Sequence, residues 1–196
     1  MYSRSLEEIK EIFKDYSDGY RAVLLVFRNK EGGTNRRAQH TDLKKFITIN
    51  SEDFFFAINK LQAEYAADYR PLRIYASLNS RDIEKAIHKF KQEQLDCDYG
   101  MGLIRENFYL NIKNNWISCL MKKPCKAQSN FLIDLDGCDD QGFHSIYNRI
   151  KKRTNIQTYY QTKNGYHIIT DPFDYTKLEC LDEVDVHPDA LMLIDY

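Results

Sequence analysis

Apolar residues recur along this chain with two periods, and the change from one to the other marks out the elements. Leu6, Ile9, Phe13 and Tyr16 fall at helical spacing behind Ser5 and Glu8, a pair that can close a capping box. The spacing predicts a helix ended by Asp18-Gly19. Residues 22–27 are continuously apolar and β-branched, as in a buried strand. Residues 29–37 (NKEGGTNRR) predict a loop around Gly32-Gly33. Residues 46–49 predict a short strand, and Ser51 opens a helix to about residue 67, with Glu52 and Asp53 at its positive end. Pro71 breaks the pattern before a strand at 72–78. Asn79 and Ser80 read as the cap of a helix over 81–95. Phe108, Ile112, Trp116 and Cys119 mark one face of another helix over 105–121, stopped by Pro124.

The character changes after residue 129. Residues 130–135 (NFLIDL) predict a short strand with acids at its end, and residues 137–140 a turn. Residues 143–152 predict a helix, and 157–162 (QTYYQT) a strand. Lys163-Asn164-Gly165 makes a tight turn into a return strand at 166–170, and Asn-Gly is a strong hairpin signal. Residues 130–170 therefore read β-α-β-β, and the final LMLID adds a further strand to that sheet. The fold class is α+β. An N-terminal α/β lobe (1–129) precedes a sheet-forming half (130–196), within one domain of 196 residues.

Composition narrows the picture. Net charge is -1, which excludes a uniformly basic protein but not a local basic groove. Residues 171–196 hold eight acids and one base, leaving 27 bases and 21 acids in residues 1–170. The plain reading is a solvated acidic tail; the sharper one gives some of its carboxylates a metal and the basic body phosphate. The longest strongly apolar run is the six residues 22–27, too short to span a bilayer, and the N-terminus lacks a signal-peptide core. The expectation is a cytoplasmic protein with no membrane partner. Cysteines at 97, 119, 125, 138 and 180 are odd in number and form no CxxC, which predicts free thiols over a zinc site.

Two segments carry candidate chemistry. On a strand, Asp134 and Asp136 put both carboxylates on one face. Two such charges repel, and a divalent cation resolves this by taking oxygen ligands from each. The bland alternative is a pair of solvent-facing acids. In TKNGYHIIT, the Lys163-Asn164-Gly165 turn offers backbone N–H groups and an ammonium to an anion, and His167 projects from the strand that follows. A hairpin histidine bonded to its neighbours is the bland alternative there. An Asp-x-Asp strand, a helix and a Gly-x-His hairpin in succession let the two polar sites meet on one sheet face.

In that order these segments resemble the catalytic core of the archaeo-eukaryotic primase superfamily, which includes primase small subunits and primase-polymerases. The family's first motif, an apolar strand ending in Asp-x-Asp, is matched by Leu132-Ile133-Asp134-Leu135-Asp136. Its second, a Ser-Gly-x-Gly-x-His hairpin, is matched loosely by Thr162-Lys163-Asn164-Gly165-Tyr166-His167, with Thr162 for the serine and Lys163 for the first glycine. Its third is a carboxylate near a later strand, for which Asp182, Asp185 and Asp195 are all available. Asp185-Val186-His187-Pro188-Asp189 followed by Leu193-Ile194 is similar to the family's pattern after that acid. Asp195 has the apolar strand context.

The resemblance implies an RRM-like catalytic sheet and a template-directed nucleotidyltransferase of DNA replication. Asp134, Asp136 and a third acid, Asp185 or Asp195, would hold two Mg²⁺ or Mn²⁺ ions. Thr162, Lys163, Asn164, Gly165 and His167 would bind the triphosphate, with Arg73 as a secondary candidate. Partners would be a single-stranded template, nucleoside triphosphates and a helicase or other replication protein. The compact size suits a phage or mobile-element replication protein. Two alternatives stay open: a catalytically inactive single-strand-binding protein of the same fold, and a metal-dependent phosphoesterase or nuclease. Arg81, the Lys151-Lys152-Arg153 cluster, Arg36 and Arg37 are further candidates for phosphate contact, against plain helix-end or loop solvation. Tyr2, Tyr159, Tyr160 and Tyr166 invite base stacking, although aromatics on strands are more often core.

Overall fold

A computed structural model describes residues 4–28, 40–66, 72–99, 103–178 and 184–195, with backbone only at 28, 40–43, 103 and 104. Tyr2, the 29–37 loop with Arg36 and Arg37, Pro71, Cys180 and Asp182 lie outside the described residues. The chain divides into two compact units, one formed by Met1–Asn79 with Ser129–Tyr196 and the other by Ser80–Gln128.

The first unit holds two antiparallel four-stranded sheets. Helix α1 (Leu6–Phe13) opens on the expected capping box, with Ser5 and Glu8 each accepting from the other's backbone N–H. Strands β1 (Arg21–Arg28) and β2 (His40–Thr48) pair along their length, so β2 is longer than the apolar stretch 46–49 announces. Helix α2 (Ser51–Ala66) follows, capped by Asn50, whose Oδ1 accepts from Asp53 N at 3.0 Å. Strand β3 (Leu72–Ser77) and the C-terminal strand β8 (Leu191–Asp195) complete the order β2-β1-β3-β8. Alternation sorts the side chains of this sheet. Val23, Leu25, Leu72, Ile74, Ala76, Met192 and Ile194 share a core with Ile9 and Phe13 of α1 and with Phe54, Ile58 and Leu61 of α2. The other face carries the cross-strand row Leu24, Tyr75 and Leu193, with Val26 opposite Arg73 beside it.

The second sheet is β4 (Phe131–Asp136), β5 (Ile156–Gln161), β6 (Gly165–Thr170) and β7 (Asp185–His187), in the order β5-β6-β4-β7. Its crossover helix α6 (Asp140–Lys151) lays Phe143, Ile146 and Ile150 on Ile133, Leu135 and Ile168. The opposite face sends Leu132, Tyr160 and Ile169 into the main core. The LMLID strand departs from the sequence reading. It pairs with β3 of the first sheet, not with the sheet formed by 130–170. The short strand β7 takes the edge of β4, and Leu78 N donates to Ala190 O at 2.9 Å to lead β8 alongside β3.

The second unit, read from sequence as part of the N-terminal lobe, is helical. Helix α3 (Ile83–Asp98) is capped by Asp82, which accepts from Lys85 N at 3.0 Å. Asn79, expected at that cap, instead lies in the first unit with its Oδ1 accepting from Asn130 N at 2.5 Å. The helix expected over 105–121 breaks at Asn111 into α4 (Leu103–Leu110) and α5 (Ile112–Leu120). Asparagine competes with helical backbone bonding, and here Asn111 and Asn115 donate to the carbonyls of Asn107 and Phe108 around the break. Phe90 packs between Phe108 and Trp116, with ring centroids 5.5 and 5.6 Å away. The ends of the unit are clasped by Ala127 N on Ser80 O and Asp82 N on Cys125 O. Cysteines 97, 119, 125 and 138 are free thiols. Burial, then a hydrogen bond to Glu93, pushes the Cys119 thiol up to about 11. Among the described residues no helix is long and apolar enough to cross a membrane.

Candidate active site

Sheet register gathers the polar groups. With Ile133 and Leu135 committed to α6, Asp134 and Asp136 must face the other way. Asp134 stands opposite His167 of β6 and Asp185 of β7, and His167 stands opposite Tyr160 of β5. One cross-strand row thus runs Tyr160, His167, Asp134, Asp185 over all four strands. Side chains directly opposed in this way lie about 5 Å apart at Cβ and interact.

The row is bonded at its centre. His167 Nε2 lies 3.3 Å from Asp134 Oδ1, and His167 Nδ1 lies 2.9 Å from the Tyr160 hydroxyl. Tyr160 is buried edge-on against Phe13 at 5.1 Å, with the Arg4 guanidinium carbon 5.1 Å from its ring centroid. Burial pushes the Tyr160 hydroxyl far above its ordinary value, so it stays protonated. As a donor to Nδ1 it leaves Nε2 to carry its hydrogen toward Asp134. Burial pushes the Asp134 carboxyl up, but His167 and then His187 outweigh it and hold the group below its ordinary value. Asp134 Oδ1 is buried and, among the described residues, has no hydrogen-bond partner apart from the His167 contact.

The two central members of the row, His167 and Asp134, open onto a cleft of about 600 Å³ between the two sheets of the first unit. One wall is Leu132, Asp134, Asp136, His167 and His187, with the turn residues 162–164 at its end. The other wall is Val26, Arg73, Tyr75, Leu191 and Leu193. Asp136, Lys163, Asn164 and His187 are exposed, whereas Thr162 and His167 are buried.

The hairpin tip is tied to the end of β4. Thr162 N donates to Gly165 O at 2.8 Å, and Gly137 N donates to Asn164 O at 2.7 Å. Gly165 is required by close approach, not by a left-handed backbone: a Cβ there would sit 1.8 Å from the Leu135 carbonyl oxygen. Gly137, by contrast, has φ +70° and open space around it. Gly165→Ala is therefore expected to cost about 3 kcal/mol, the upper end of the overpacking range. Gly137→Ala should cost about 1–2 kcal/mol, the left-handed penalty alone. Urea denaturation of both variants checks the order.

Of the sequence candidates, Asp134, Asp136, Thr162, Lys163, Asn164, His167 and Arg73 line this one cleft, with Gly165 at the base of its turn. Asp185 is opposite Asp134 in register and exposed, but does not line the cleft. Asp195 is not placed to hold a metal there. Uninterrupted pairing from Tyr75 with Leu193 would set Asp195 across from Arg73, on the cleft face. A register shift sets it opposite Ile74 instead. Its fully buried carboxylate accepts from Arg4 N at 3.0 Å and from Gln62 Nε2 at 2.8 Å. Arg81 belongs to the helical unit, and Lys151, Lys152 and Arg153 are exposed at the end of α6. Tyr166 stacks on Phe143 at 4.2 Å on the α6 face, and its hydroxyl bond to Asp140 pushes it up to about 12. Tyr159 packs edge-on against Tyr147 at 5.4 Å on the same face.

Sequence alone gives no role to His187 or Tyr75 and makes Tyr160 only a stacking candidate. Alternation along QTYYQT separates the two tyrosines onto opposite faces, but only the pairing register shows that Tyr160 meets His167. Among the described residues, no three carboxylate, imidazole or thiolate groups converge as a ready-made metal cage. Compared with known proteins, the chain matches no family model, no curated protein and no solved structure.

Proposed function

We propose that the cleft is the nucleotide site of a primase-like, template-directed nucleotidyltransferase. The observation that carries this reading is the convergence of Asp134, Asp136, His167 and the 162–164 turn on one cleft. The strand order β5-β6-β4-β7, with α6 crossing between β4 and β5, supports an RRM-like character for that half. The cleft volume suits a nucleotide, since small-molecule sites run from about 300 to 1,000 Å³.

Asp134 and Asp136 supply the oxygen donors a hard divalent cation takes, with Asp185 as the candidate for a third. Asp134 Oδ1 is buried and short of partners, Asp136 projects from the same strand face, and Asp185 is the cross-strand neighbour of Asp134. Asp134 and Asp136 would hold Mg²⁺ or Mn²⁺, joined by Asp185 if it turns toward them. When bound, the ions would polarise the α-phosphate and a nucleic-acid 3′-hydroxyl. The protein's own part is to position. Lys163 and Asn164, exposed at the turn, offer an ammonium and amide donors to the triphosphate. His167, held by Tyr160, presents Nε2 beside Asp134 as a further donor. A single-stranded template would supply the complementary base.

Thermal unfolding tests the reading. Mn²⁺ with a nucleoside triphosphate at about 100 times its Kd should stabilise the protein by about 2.7 kcal/mol, a Tm rise of roughly 5–10 °C. Asp134→Ala combined with Asp136→Ala should erase the shift. Absence of any shift in the wild-type protein would overturn the proposal. Strand binding indifferent to EDTA would point to a non-catalytic single-strand binder, and phosphate release without added nucleotide to a phosphoesterase.

A further inference from the structure

The two walls of the cleft differ in chemistry. The wall on the second sheet carries the carboxylates, His167 and the Lys163 turn. The facing wall is mostly apolar, and its centre is an aromatic ring. Leu72, Ile74 and Ala76 take the core side of β3, so Arg73 and Tyr75 emerge on the cleft side. Tyr75 is flanked across its strand neighbours by Leu24 and Leu193, with Leu191 two residues before Leu193. Leu191 is 36% exposed, an apolar surface left open at the cleft.

Tyr75 also differs from three other tyrosines of this unit. Tyr160 is bonded to His167, Tyr166 to Asp140, and Tyr16 to Gln157. Tyr75 is half-buried, and among the described residues it makes neither a hydrogen bond nor a ring contact. A ligand filling this cleft meets anion-binding groups on one side and a flat aromatic and aliphatic surface on the other. Inorganic polyphosphate uses only the first; a nucleotide uses both.

We infer that the β3–β8 wall is a base subsite, with the heteroaromatic base of a nucleoside triphosphate lying on the Tyr75 ring and edged by Leu191 and Leu193. This rests on the cleft being a nucleotide site and adds where the base binds. Stacking of a base on an aromatic side chain tolerates any base, because every base has a π-face. The subsite therefore gives affinity for nucleotides as a class, and leaves the choice of base to the template.

Calorimetric titration with ATP and with inorganic tripolyphosphate, each with Mn²⁺, tests this in the wild type, Tyr75→Phe and Tyr75→Leu. ATP should bind the wild type more tightly than tripolyphosphate does. Tyr75→Leu should weaken ATP by roughly 5- to 150-fold, the span found on removing a stacking side chain, and leave tripolyphosphate within about twofold. Tyr75→Phe keeps the ring and should keep ATP affinity. Unchanged tripolyphosphate binding also shows that the Tyr75→Leu cleft is folded. Equal loss for both ligands, or no loss for ATP, overturns the base subsite. If wild-type affinities for the two ligands are equal, the inference fails while the phosphate site stands. If the wild type binds neither, the nucleotide site and the base subsite fall together.

Discussion

Replacing Asp134 with asparagine should lower metal-dependent nucleotide incorporation by about 10²–10³-fold or more, with little change in folding. Loss of one preorganised electrostatic group in an active site typically costs that much in kcat. Asparagine keeps the shape of the side chain, and its carbonyl oxygen can still meet His167 Nε2, now 3.3 Å from Asp134 Oδ1. What disappears is the charge that would hold a cation beside a phosphate. Asp136→Asn should behave likewise, because Asp136 leaves the same strand on the same face and is exposed to the cleft. Asp185→Asn identifies the third carboxylate. A comparable loss assigns Asp185, the cross-strand neighbour of Asp134, to the metal set. Asp195→Asn provides the contrast. Its carboxylate is buried against Arg4 and Gln62, so it should lower stability and leave incorporation per folded molecule intact. Gel-resolved extension of a labelled primer–template, run beside urea denaturation, separates the two kinds of loss. Full incorporation by folded Asp134→Asn would remove the catalytic reading of the cleft.

Much of this geometry is legible in the sequence because it follows from alternation. FLIDLD has apolar residues at one parity that must meet α6, and its two acids then have only the other face. The β-α-β-β order of 130–170 is equally local: a short apolar strand, an amphipathic helix and a tight hairpin. Other features depend on pairings that no local pattern encodes. LMLID suits either sheet on hydrophobicity alone. Its place beside β3 depends on β7, whose residues 185–187 carry scarcely any strand signal, occupying the edge of β4. The turn of Asp195 away from the cleft depends on a register shift that leaves no mark in composition. Gly165 reads as a hairpin residue, yet its requirement arises from Leu135, thirty positions earlier in the chain. Tyr160 looks like one of several strand aromatics until the β5–β6 register sets it against His167. The sequence therefore displays the polar groups of the cleft more openly than the residues that hold them.

Arg4 is the clearest of those supporting residues, and Arg4→Ala should destabilise the first unit by about 3–5 kcal/mol, the cost of losing two buried charge-assisted hydrogen bonds. Arg4 is 4% exposed. Its Nη1 donates to Ile194 O of β8 at 2.6 Å, and its Nη2 donates to Gln161 O of β5. One guanidinium therefore bridges the last strand of the first sheet to the outer strand of the second. The same residue's backbone N–H binds Asp195, its carbonyl accepts from Gln62, and its guanidinium lies over the Tyr160 ring. Alanine would leave both strand carbonyls without this donor, while its backbone N–H can still bind Asp195. Because Tyr160 orients His167, the loss should reach the cleft: nucleotide affinity should fall even at temperatures where the variant is fully folded. Arg4→Lys keeps the charge but not the fork and should lose less. Combining Arg4→Ala with Asp195→Asn should cost less than the two single effects added, by about 0.5–3 kcal/mol, since both act in one network. A change below about 1 kcal/mol for Arg4→Ala in urea denaturation would show that this guanidinium bridge does not hold the two sheets together.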